Sequence, residues 1–207
     1  MRREQDRIHI VSEICSAAAL YRQHLVGRCF MYVFDDRYIE VIYKADSFRH
    51  LTGVDTPLSA KQFYKLACQR RLGVSQIGFT AQHPYDLCVR KLVHLSDLAK
   101  LATSESFMLE EITTQTQSYK FGTTDLNFSI CMNKRNSECY VAESLRDEDC
   151  FSKSGNVYAV THIFSKRNDA KEYTDIAWFD ERFVHAELPD EIKSLLADSL
   201  LSELTTR

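Results

Sequence analysis

From residue 4 to 26, apolar side chains return every three or four positions, at Ile10, Ile14, Ala17, Ala18, Tyr21 and Leu25, and Gly27 follows. That spacing predicts an amphipathic helix with a glycine stop. The period then falls to two. Segments 29–34 and 38–43 are aromatic and β-branched, and Asp35-Asp36-Arg37 between them predicts the turn of a β-hairpin. Residues 47–55 are irregular and contain Thr52-Gly53, after which Ser59 and Gln62 have the S-x-x-Q spacing of a capping box. The helix predicted over 59–71 has Phe63, Leu66 and Ala67 as its apolar stripe, with Lys61 and Lys65 one turn apart outside it. Pro84 suits the first turn of the next helix, whose Cys88, Leu92, Leu95, Ala99 and Ala102 face inward and whose Arg90, His94 and Asp97 face outward.

Beyond residue 106 the pattern is strand-like, at 107–113, 119–122, 126–132, 139–145, 157–164 and 173–179. Polar turns such as Gly122-Thr123-Thr124-Asp125 and Asn133-Lys134-Arg135-Asn136 separate the segments and predict an antiparallel meander. Leu188-Pro189-Asp190-Glu191 opens a helix over 188–205, striped by Ile192, Leu195, Leu196, Leu200 and Leu204. Helices followed by a run of strands predict an α+β fold, a helical layer packed on an antiparallel sheet. The expected organisation is one domain, 1–207. Residues 1–105 are mainly helical with a hairpin, 106–180 form the meander and 188–205 the C-terminal helix. At 207 residues, 44% hydrophobic and 27% charged, the chain suffices for one substantial core. The leucine-striped helix suits packing on its own sheet or on a second chain.

A formal net charge of −3 excludes a globally basic nucleic-acid coat but leaves room for a focused basic patch. Seven cysteines without a C-x-x-C pair read as reduced thiols, so no metal, disulfide or cofactor is expected. The charged N-terminus is not that of a signal peptide, and no apolar run is long enough for a membrane helix, which makes the cytoplasm the expected location. Motifs of P-loop, dinucleotide-binding, zincin and α/β-hydrolase proteins are absent.

Candidate chemistry centres on Phe48-Arg49-His50-Leu51-Thr52-Gly53, between hairpin and capped helix. An imidazole there can serve as general acid or base, and Thr52 can orient it or bind a phosphate oxygen. The alternative is structural, with His50 on a backbone carbonyl and Thr52-Gly53 making a turn. His162 is either a second imidazole or a cross-strand packing residue. Trp178, Tyr173 and Phe179 suit base stacking or core filling. His9, His24, His83, His94 and His185 lack companions and read as surface or capping groups.

The chain resembles the phage-encoded nucleases grouped with barnase, EndoU, the tRNase colicins and RelE, specifically the fourth type of that group. The resemblance is carried by the segment 48–53, by Phe63-Tyr64, by Arg90-Lys91-Leu92 with Leu95 and Leu98, by Tyr140-Val141-Ala142-Glu143-Ser144-Leu145 and by Ile163-Phe164-Ser165-Lys166-Arg167. It departs at Ala142-Glu143, where such sequences carry Pro ahead of Ser-Leu. The resemblance implies a barnase/EndoU/RelE-like fold and metal-independent RNA cleavage, in which the ribose 2′-OH attacks the adjacent phosphate. It further implies His50 for proton transfer, Lys65, Lys91 and Lys166 for phosphate stabilisation, and Thr52 and Ser144 for orientation. Arg49, Lys65 and Arg90 would bind substrate. The expected partner is RNA, with a neutralising or partner protein possible and no membrane. The alternatives are a catalytically silent nucleic-acid- or protein-binding module on the same fold and a protein-interaction subunit.

Overall fold

The computed structural model describes residues 2–134, 138–183 and 188–206. Residues 135 and 136 of the turn expected at 133–136, and His185, lie outside them. The chain runs α1 (Arg2–His24), β1 (Arg28–Phe34), β2 (Arg37–Ile42), α2 (Phe48–Thr52), α3 (Ala60–Cys68), α4 (Tyr85–Leu95) and α5 (Leu98–Leu101). It continues through β3 (Phe107–Thr113), β4 (Ser118–Thr124), β5 (Ser129–Lys134), β6 (Tyr140–Arg146), β7 (Asn156–Ala159), β8 (His162–Arg167) and β9 (Asp175–Phe179), and ends in α6 (Asp190–Lys193) and α7 (Asp198–Thr206). The fold is α+β. Among the described residues nine strands form one sheet in the order β7-β3-β4-β5-β6-β2-β1-β8-β9. All neighbours are antiparallel except β2 and β6, which run parallel.

Alternation along β1 sorts the two faces. Phe30, Tyr32 and Phe34 point into a core that takes in Ile10, Ile14, Ala17, Ala18, Tyr21 and Leu25 at α1, and it extends through Ile130 and Leu145 to Ile163. Cys29, Met31 and Val33 point the other way, under Ile192, Leu196, Leu200 and Leu204 of the C-terminal segment, which thus packs on its own sheet. The capping box at Ser59 and Gln62 is present, and Gln62 N–H donates to the Ser59 hydroxyl.

The segment 47–55, expected to be irregular, holds the short helix α2, and the single helix expected from Pro84 to Ala102 divides into α4 and α5. Two further departures have long-range causes. Residues 157–164 make two strands rather than one, because the backbone changes partners at Val160 and Thr161. Val160 N–H donates to Ser106 O and Thr161 N–H to Val33 O. The meander is therefore interrupted, with β7 on one edge beside β3 and β8 beside β1. Two residues reach only about 11 Å from Ala159 to His162, so the sheet must curl until β3 and β7 face β1 and β2. The Arg37 guanidinium closes this contact, 2.9 and 3.3 Å from the Glu110 carboxylate oxygens and stacked at 4.9 Å on Phe34 and Tyr158. The helix expected over 188–205 breaks into α6 and α7, because the backbone at 195–197 pairs with Tyr173. Tyr173 N–H donates to Leu195 O and Ala197 N–H to Tyr173 O.

Candidate active site

β2 and β6 pair through only two positions, Val41↔Tyr140 and Ile42↔Val141. Beyond them the strands part, and α2 follows from the end of β2. β2 is otherwise paired to β1 and β6 to β5, so the strand order reverses here. In open α/β sheets, a crevice beyond the carboxyl ends of parallel strands at such a switch point is where ligands bind.

α2 is five residues long and has no stability of its own. Phe48 and Leu51 hold it, both fully buried, with the Phe48 ring 5.1 Å from Tyr21 and 5.5 Å from Tyr64. Burial of each such side chain contributes roughly 1.5–3 kcal/mol. Thr52 closes the turn, its hydroxyl donating to Arg49 O at 2.7 Å and accepting from Val54 N–H. Gly53 ends the helix at φ 74°, a left-handed conformation that favours glycine. Arg49 is drawn off to Leu58 O at 3.2 Å. His50 alone between these anchors is exposed, at the rim of a cleft of about 460 Å³ that also meets Ser47, Gln117, Tyr119, Val141 and Glu143.

Lys91 of α4 lies behind His50. Its Nζ is 3.4 Å from His50 O, and its chain runs so close over Gly53 that a Cβ there would come within 2.9 Å of Lys91 Cδ. Only 9% of the residue is exposed. Burial, reinforced by the positive charge of Arg146, pushes its ammonium pKa down to about 8. Arg146, at the end of β6, reaches Tyr119 Oη and Thr114 Oγ1 at 3.3 Å and Thr116 Oγ1 at 3.5 Å. Its Nε is buried without a hydrogen-bond acceptor. Among the described residues neither Lys91 nor Arg146 is ion-paired to a carboxylate.

Glu143 is the extra residue of a β-bulge in β6, where Cys131 faces Ser144 and Met132 faces Ala142. The bulge turns its carboxylate into the cleft, where Oε2 accepts from Gln117 Nε2 at 3.3 Å and Asn133 Nδ2 at 3.5 Å. A bulge is also one of the few places where a strand tolerates proline. Ser144 is buried beside it. Asp147 fastens α4 to the end of β6, its carboxylate accepting from His94 Nε2 at 2.7 Å and lying 3.7 Å from Arg90 Nε. His94 also stacks on Phe128.

The structure thus brings together His50, Lys91 and the Glu143-Ser144 turn of β6, with Thr52 and Arg49 bracing α2 and Arg90 bound to Asp147. Lys65 is exposed on α3. Lys166 lies on the opposite face, 3.5 Å from Glu40 Oε1 and 4.3 Å over the Tyr173 ring. His162 is buried, stacked on Phe164, with Nδ1 3.0 Å from Thr161 Oγ1. The sequence reading missed Tyr119, Gln117 and Glu143 as cleft residues, and Arg146 as the group that holds Tyr119. Arg146 directly follows Ser144-Leu145, and that adjacency was the available signal.

The family described as phage-Barnase-EndoU-ColicinE5/D-RelE like nuclease 4 matches residues 13–181. The chain belongs to this nuclease family. The match runs from the middle of α1 past the end of β9 and includes every residue of the cleft. No curated protein and no solved structure matches. The nuclease acts on nucleic acid, a polyanion; behind the cleft lie Lys91 and Arg146, and the cleft itself is lined by Lys44 and by the carboxylates of Asp46 and Glu143. Among the described residues no helix is long and apolar enough to cross a membrane.

Proposed function

We propose that this nuclease is an RNA endonuclease that needs no metal for catalysis and cleaves by attack of the ribose 2′-OH on the adjacent phosphate. One observation carries the reading: Lys91 and Arg146 lie near one another behind the His50 and Tyr119 side of the cleft, and among the described residues neither is ion-paired to a carboxylate. Like charges held together are destabilising, and a phosphodiester supplies the missing negative charge. Their role is to stabilise the dianionic, phosphorane-like transition state, with the orphaned Arg146 Nε as one donor. A carboxylate and an imidazole at the same cleft meet the two proton-transfer needs of the reaction. Glu143 takes the 2′ proton as the nucleophile attacks, and His50 in its charged form protonates the departing 5′ oxygen. Tyr119 and Gln117 position the sugar and base, while Thr52 and Arg49 act through the shape of α2.

The test is incubation of the purified protein with total RNA in EDTA, followed by end-group analysis. Expected are 2′,3′-cyclic phosphate and 5′-hydroxyl ends, with DNA left intact because it lacks the nucleophile. Binding of RNA without strand breaks would favour the silent module on the same fold. Breaks bearing 5′-phosphates would remove the 2′-OH mechanism.

A further inference from the structure

We propose that Cys29, Glu40 and Cys139 form a site for a thiophilic divalent cation of the zinc class, which clips β1, β2 and β6 together. One ligand atom from each lies within 4.8 Å of the others. A tetrahedral zinc with Zn–S about 2.3 Å and Zn–O about 2.1 Å places its ligand atoms roughly 3.5–3.8 Å apart, and Cys139 Sγ is already 3.9 Å from Glu40 Oε2. Closure therefore asks for movements of an ångström or less. The expectation of no metal rests on the missing C-x-x-C spacing, whereas these ligands come from two strands and the approach to a third, with Glu40 and Cys139 separated by 99 residues.

The surroundings are those of an oriented ligand set. Tyr173 Oη donates to Glu40 Oε1 at 2.6 Å, which leaves Oε2 turned toward Cys139, and the same hydroxyl is 3.4 Å from Cys29 Sγ. Outer partners of this kind fix metal ligands in place. Two thiolates and a carboxylate on a dication leave one negative charge, and Lys166 Nζ, 3.5 Å from Glu40 Oε1, stands ready to balance it. Soft sulfur ligands select zinc over magnesium or calcium. Three protein ligands leave a fourth position for water, on the side where Glu40 and Cys139 are only partly buried. The location gives the clip a purpose. Glu40 and Cys139 immediately precede the two paired positions of β2 and β6, the shortest seam in the sheet and the one whose far end opens into the cleft.

The test uses the reduced full-length chain, stripped with a chelator and titrated with Zn²⁺ and, in parallel, with Co²⁺ followed by absorption. Expected are one ion per chain, a near-ultraviolet thiolate-to-cobalt band with the visible bands of a tetrahedral ion, and a higher melting temperature with Zn²⁺. Cys139→Ala, at a partly buried position, should abolish the band and the thermal gain, while Cys131→Ala keeps both. Tyr173→Phe preserves the packing and should weaken binding by about 10- to 100-fold. Absence of a thiolate band, or its survival in Cys139→Ala, overturns the proposal. So does failure to take up metal in a protein whose Cys29 and Cys139 join as a disulfide on mild oxidation, which would make the pair a redox device. Metal uptake is read without RNA, so this site and the nuclease reading can fail independently.

Discussion

Lys91 and Lys166 are both largely buried against the same sheet, on opposite faces, and their surroundings differ in one respect. Lys166 is answered by the Glu40 carboxylate, the Tyr173 ring and Lys171 O at 3.1 Å. Among the described residues Lys91 has one carbonyl at 3.4 Å and, as its charged neighbour, Arg146. Depth alone does not separate the two lysines. On the proposed reading counter-charge does, because an ammonium without one raises the free energy of the fold until an anion arrives.

The largest expected effect is on His50, the exposed member of the Lys91 side. His50→Ala should lower RNA cleavage by about 10²- to 10⁴-fold, the usual worth of a general acid. Because the imidazole is exposed, the melting transition should move by no more than about 0.5 kcal/mol. Cleavage at the parental rate would detach the histidine from the chemistry and leave Lys91 and Arg146 as a binding pair only.

Lys91→Met should lose about 10²-fold or more in cleavage and yet gain stability. The folded pKa of about 8 lies below the ordinary 10.5. The unfolded chain therefore holds the proton more tightly, and stability rises with pH between about 8 and 10.5. At pH 7 both states are protonated and the full penalty stands, roughly 3 kcal/mol for that gap. The methionine variant should accordingly melt higher at pH 7, by about 1–3 kcal/mol, with its advantage fading through that window. In the parent, kcat/KM should fall as pH rises through about 8 and the transition-state cation is lost. A Lys91→Met protein less stable at pH 7 would contradict the uncompensated charge.

Gly53→Ala sharpens the same point through geometry. Its φ of 74° and the 2.9 Å approach to Lys91 Cδ both resist a Cβ, so the variant should lose about 1–2 kcal/mol in denaturant unfolding. Displacement of Lys91 should cut cleavage further than the lost stability explains.

The contrast between the lysines was not legible along the chain, for a physical reason. Local periodicity predicts α1, the β1-β2 hairpin and the capped α3, because their side chains answer to neighbours three, four or two residues away. Lys91, three residues after Cys88 and four before Leu95, is buried with them in the structure, where a solvated surface charge was the ordinary expectation for a lysine. What removes or supplies its counter-charge comes from elsewhere: Arg146 arrives 55 residues later in the numbering, held by Thr114 and Tyr119. Glu40 on β2 reaches Lys166 on β8 across the one intervening strand, β1. The split at Val160-Thr161 and the break between α6 and α7 escaped for the same cause, since each is a change of long-range backbone partner. His50 was singled out by its place between the hairpin and the capped helix, and the structure sets it exposed at the rim of the cleft.

The smallest effect should come from Lys166→Met, and it completes the comparison. The substitution removes an ammonium that lies on the face of α6 and α7, away from the His50 cleft, so cleavage should change less than about twofold. Its ion pair with Glu40 is partly exposed, and such pairs contribute about 0–1 kcal/mol. Methionine keeps the aliphatic contact with the Tyr173 ring and loses only the cation over it, worth about 0.5–1 kcal/mol. Stability should therefore fall by about 1 kcal/mol at most, the opposite sign to Lys91→Met. The measurement is a matched pair of melts and cleavage rates at pH 7 for the two methionine variants. If both lose cleavage to the same extent, Lys166 also serves the reaction, and counter-charge ceases to separate the two faces.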